Sequence, residues 1–185
     1  MAIVGIALIA SAALIFGDRI DFGGNGGPKG SKTTEVRLPN DAASEFDPPP
    51  GDQQETGTEQ LAIDSNPTGT AWSTEHYDSA DFGGLKDGVG LAIDAGDAVA
   101  AKSMVIRALT SGYDAQIYET AGAQPSSLSG WGQPVATISD GGDSETVRLP
   151  GKQAESFLVW ITKAPPAQDD PGRYQMEISD VRILK

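Results

Sequence analysis

The run Ala62–Glu75 holds the chain's densest set of oxygen donors, with Asp64, Ser65, Asn66, Thr68, Thr70, Ser73, Thr74 and Glu75 gathered around Pro67 and Gly69 just before Trp72. Proline and glycine kink such a stretch, and the Asp and Thr side chains can cap the resulting turn by bonding to its backbone. Immediately after it, Glu75, His76 and Tyr77 place a carboxylate, an imidazole and a phenol side by side in a loop, a polar set suited to lining a binding site. Trp131 stands in Ser129-Gly130-Trp131-Gly132, with no alternation of polar and apolar residues around it. Two readings of that indole stand open: an exposed platform for stacking on a sugar ring or other partner, or a loop tryptophan folded back on the body of the protein.

Catalytic chemistry finds little support. The chain has one histidine and no cysteine, so a nucleophile triad would rest on His76 alone, and no serine sits in an elbow motif. No glycine-rich segment follows a strand and opens a helix as a phosphate loop does. The 26 acidic residues against 13 basic ones give a formal charge of -13, which repels nucleic-acid backbones and is the ordinary signature of a solvated acidic surface. The reading is a protein that is not an enzyme and does not bind nucleic acid.

The elements that must position these residues are mostly strands. Twenty-three glycines and twelve prolines punctuate the chain into short elements, and from residue 58 onward the apolar pattern has period two, except for one helical turn at 58–63. Strands are predicted at 35–38, 88–96, 103–109, 113–119, 134–138, 144–149, 157–162 and 174–184. The turn at Ser111-Gly112 makes the third and fourth an antiparallel hairpin. Phe157-Leu158-Val159-Trp160-Ile161 is apolar on both faces and should be the most buried strand, with Trp72 and Trp160 in the core. In the last strand the apolar parity shifts between Ile178 and Val181, which predicts a bulge near Ser179. Asp47–Gly51, with its three prolines, must be a rigid extended or turn segment.

Ahead of this lies a different composition. Residues 1–17 are an uncharged apolar stretch read as a membrane anchor, either a truncated transmembrane helix or a signal: as a helix, sixteen residues rise roughly 24 Å, short of a full span. Residues 18–33 are a glycine-rich linker, and 34–185 form the folded domain.

The turn before Trp72 resembles the early signature of the discoidin, or coagulation factor type C, domains, an Asp-Gly-Asn/Asp-Pro turn followed by Thr-x-Trp. Glu75-His76-Tyr77, Leu85-Lys86-Asp87-Gly88-Val89-Gly90-Leu91 and Phe157-Leu158-Val159-Trp160-Ile161-Thr162 look more specifically like the extracytoplasmic domains of actinobacterial membrane Ser/Thr kinases and MurJ-type (MviN) proteins. The resemblance covers about Val36 to Lys185; the chain departs from it in having Ser65 where glycine is usual and one extra residue at Thr68-Gly69. It implies an all-β, galactose-binding-like jelly-roll sandwich of about eight antiparallel strands behind an N-terminal apolar helix. It also implies a structural calcium ion held by Asp64, Asn66, Thr70 and Asp180, a donor set whose carboxylates and carbonyls suit the six to eight oxygen ligands that calcium takes. The functional expectation is a membrane-tethered extracytoplasmic module that recognises cell-wall glycan or an envelope partner through Glu75, His76, Tyr77 and Trp131. The alternative is a structural or protein-assembly domain with no small ligand.

Overall fold

The computed structural model describes residues 33–55 and 57–185; the anchor expected over 1–17, and all but the last residue of the linker expected over 18–33, lie outside them. The described residues form nine strands: β1 (Ala43–Phe46), β2 (Trp72–Ser73), β3 (Val89–Ala100), β4 (Ser103–Ala108), β5 (Tyr113–Thr120), β6 (Ala136–Gly141), β7 (Ser144–Arg148), β8 (Gln153–Lys163) and β9 (Glu177–Leu184). They pair in antiparallel fashion into a five-stranded sheet, β1-β3-β8-β5-β6, and a four-stranded sheet, β2-β9-β4-β7. The expected all-β sandwich is what the chain adopts. Among the described residues the only helical pieces are 3-10 turns at Glu59–Ala62, Phe82–Gly84 and Leu128–Trp131, the first falling on the turn expected at 58–63. No helix among the described residues is long and apolar enough to cross a membrane.

The period-two pattern becomes burial. In β8, Phe157, Val159 and Ile161 enter the main core between the sheets, while Leu158 and Trp160 join a second cluster on the other face with Phe46, Ala92, Tyr118 and Trp131. A strand buried on both faces reads as a continuous apolar run, as this one does. The bulge expected near Ser179 is present: Arg107 pairs with Asp180 and Ala108 with Ile178, which leaves Ser179 unmatched.

Two expectations need correction. The hairpin predicted from 103–109 to 113–119 does not form, because β4 pairs with β7 and β9 while β5 pairs with β6 and β8. The connection crosses between sheets, so Met104 and Ile106 face Ala115 and Ile117 across one core. Alternation fixes which face of a strand is apolar and says nothing of which sheet receives it. The strand expected at 35–38 is reduced to an extended segment beside the end of β9, with Val36 N donating to Ile183 O at 2.8 Å and one bridge at Glu35. The first true strand is β1.

Candidate functional site

At one end of the sandwich the chain leaves β2 and continues as Thr74–Ser79, held against 174–176 by backbone bonds from Thr74 N to Met176 O (2.9 Å) and from Tyr77 N to Tyr174 O (2.8 Å). This pairing turns Glu75, His76 and Ser79 toward a cleft of about 380 Å³, whose other walls come from Pro50 and Asp52, from Leu85 and Lys86, and from Arg173. Three separate loops build it.

Lys86 is the hub. Its ammonium is nearly buried and lies 3.0 Å from Asp47 Oδ2, 3.1 Å from Glu55 Oε1 and 3.2 Å from Asp52 Oδ1, and 5.3 Å from the centre of the Tyr77 ring. Tyr77 donates its hydroxyl proton to Glu55 Oε1 and packs edge-on against Phe82. Burial alone would favour the neutral amine, but the hydrogen bonds with Tyr77, Asp47 and Glu55 outweigh it and hold Lys86 above the usual lysine range. Burial, and then the bond to Glu55, also push the Tyr77 phenol up. Glu75, on the cleft wall, is raised by burial and by the nearby Asp52 and Glu55.

The rim is latched by polar contacts. His76 Nε2 lies 3.0 Å from Asp169 Oδ1, and Arg173 binds the His76 carbonyl and pairs with Asp78 at 3.3 Å. Leu85 is 72% exposed, an apolar side chain standing beside donors and acceptors of both signs. A larger hollow of about 650 Å³ runs past Lys102, Thr146 and Arg148 at the β4–β7 edge, but its charged residues are solvent-exposed. The cleft, with fixed polar groups around it, is the better-built receptor.

The fold is matched by solved structures. The family 32 carbohydrate-binding module of NanJ from Clostridium perfringens, solved with galactose, is similar over 83% of this chain and 99% of its own, with 18% identity and a TM-score of 0.52. A chitosan-binding module from Paenibacillus sp. IK-5 is similar over 81% and 98%, with 14% identity and a TM-score of 0.55. The fold is that of these carbohydrate-binding modules. The chain also matches part of a GH29 fucosidase from Ruminococcus gnavus at 14% identity and a TM-score of 0.53, covering 77% of itself and 24% of the fucosidase. No family model matches the chain.

Of the residues singled out from sequence, Glu75, His76 and Tyr77 come together at this cleft, Tyr77 as part of its buried floor. Trp131 does not join them. It is 4% exposed, and its ring meets Phe46 edge-on at 5.9 Å between centroids, in the cluster that Trp160 also enters. The exposed platform is therefore corrected to a buried anchor, because the 121–135 loop folds back over the outer face of the five-stranded sheet. Sequence reading missed Asp47, Asp52, Glu55, Lys86 and Arg173. A cation between Leu85 and Asp87 that the fold buries was the one available signal.

Of the expected calcium set, Asp64, Asn66 and Thr70 share one turn, and Asp64 and Asp180 line one small surface pocket. Asp64 already has a partner on each carboxylate oxygen. Asp64 Oδ1 accepts from Asn66 N at 2.8 Å and Oδ2 from the Thr70 hydroxyl at 2.7 Å. The buried Asp180 carboxylate faces Arg182 Nε at 2.9 Å and Arg107 Nε at 3.8 Å. Two guanidiniums stand where a dication would supply the positive charge, so this set fits a capped turn beside a neutralised carboxylate and does not fit calcium.

Proposed function

We propose that this chain is a non-catalytic glycan-binding module, with the cleft around Glu75, His76, Lys86 and Arg173 as its binding site. The observation that carries this reading is the juxtaposition of fixed donors and acceptors with the exposed Leu85 in a cleft of about 380 Å³. A sugar offers hydroxyls in fixed directions and one apolar face of C–H groups, and this wall answers both. The fold supports it, since isolated modules of this architecture include one solved with galactose and one described as chitosan-binding. Two of the cleft's acids are engaged with fixed partners, Glu55 with Lys86 and Tyr77 and Asp52 with the same ammonium, which suits them to a preformed binding wall.

The ligand proposed is a neutral or amino-bearing cell-envelope glycan, the module standing outside a membrane on its N-terminal segment; an envelope protein is the alternative partner. Affinity electrophoresis and calorimetry against peptidoglycan fragments, chitosan oligosaccharides and a neutral glycan panel test the reading. Binding that falls at least tenfold in both Arg173→Ala and Leu85→Ala, with melting unchanged, is expected. Absence of binding to every glycan would move the function to protein contact.

A further inference from the structure

Beneath the cleft, and independent of what the cleft binds, lies a second charged constellation. Glu45 is in β1 and Asp47 follows two residues later, so the extended chain turns both side chains the same way. Glu55 returns from the succeeding loop to meet them. One oxygen from each of the three carboxylates lies within 4.8 Å of the other two.

An acidic cluster alone calls for nothing, but two further facts apply to this one. The Asp47 and Glu55 side chains are 0% exposed. Each gives one oxygen to Lys86 and keeps the other, Asp47 Oδ1 and Glu55 Oε2, without any hydrogen-bond donor. Buried carboxylate oxygens left unpaired are costly. Asp47, Glu55 and Asp52 also share the single ammonium of Lys86, which leaves the cluster short of positive charge.

We propose that Glu45, Asp47 and Glu55 bind a hard divalent cation, with calcium as the best-fitting one. Calcium takes oxygen ligands at roughly 2.3–2.6 Å, so two ligands on one ion stand at most about 5 Å apart, and the three carboxylates meet that limit. In this arrangement Asp47 and Glu55 would serve both the Lys86 ammonium and the ion. Half-buried Glu45 closes the site and leaves it open to solvent on its own side. The ion would join β1 to the loop that forms the cleft floor.

The test uses the full chain, freed of metal with chelator and titrated with terbium. Trp72 Nε1 donates to Glu55 O at 3.0 Å, so its indole is placed to sensitise terbium emission. The expected result is sensitised emission that millimolar calcium displaces, with affinity at least tenfold weaker in Glu45→Gln and changed less than about threefold in Asp64→Asn. A calcium-dependent rise in melting temperature of the unsubstituted chain reads the same site without any variant. No emission together with no calcium-dependent melting shift overturns the proposal. So does emission that Glu45→Gln leaves intact, whether or not Asp64→Asn abolishes it, because the ion would then sit elsewhere.

Discussion

His76 shows how a single side chain is fixed at the rim. The hydrogen bond from His76 holds the Asp169 carboxyl below the usual carboxylate range, so the latch is complete above that range and is lost as pH falls through Asp169's own, lower value. Carbon-detected NMR titration should find Asp169 titrating below an ordinary aspartate, and His76→Ala should move it back up; an unchanged titration would remove the latch. Lys86 matters more for stability. Replacing it with methionine strands Asp47 and Glu55 as buried charges, and the loss of one partner from a buried ion cluster costs about 3–5 kcal/mol, readable as a lower urea midpoint. The sequence announced Glu75, His76 and Tyr77 because they are adjacent polar residues in one loop. It did not announce Lys86, Asp52 or Glu55, whose meeting depends on two connections, β1–β2 and β2–β3, that no local pattern links.

Among the elements, β8 illustrates both what a strand pattern tells and what it omits. Its unbroken apolar run foretold a central strand, and it lies between β3 and β5. The same run did not say what covers its outer face, and Trp131 does. Trp131→Ala should therefore destabilise the domain by about 3–5 kcal/mol, as large-to-small core substitutions do, with glycan affinity unchanged under folding conditions. The close packing of β3 on β8 gives a companion test. A Cβ at Gly90 would sit 2.6 Å from Leu158 Cδ1 and 3.1 Å from Val159 O, so Gly90→Ala should cost about 1–3 kcal/mol by overpacking. The parity shift in β9 foretold the Ser179 bulge because an inserted residue reverses which side chains face inward. The β4–β5 connection was misjudged because a short turn between alternating strands fits a hairpin and a crossing between sheets equally well. The capped turn at Asp64 adds an element-scale expectation: Asp64→Asn should lower the melting temperature by the same amount in calcium and in chelator.

At the scale of the whole molecule, the sandwich was legible from turn spacing and period-two runs, whereas the strand order, in which successive strands alternate between sheets except at the β5–β6 pair, came only from tertiary contacts. The β1–β2, β2–β3 and β8–β9 connections meet at one end, and those three supply the cleft. In a chain of net charge -13, this end would use short-range hydrogen bonding instead of long-range attraction to anionic partners. The most direct test is amide chemical-shift mapping of the full chain titrated with the glycan that binds best in the panel. Shifts concentrated at 75–79, 85–86 and 173, saturating together and absent in Arg173→Ala, are the predicted result. Saturating shifts confined to the β4–β7 edge, or none with any glycan, would contradict the assignment of this cleft as the binding site.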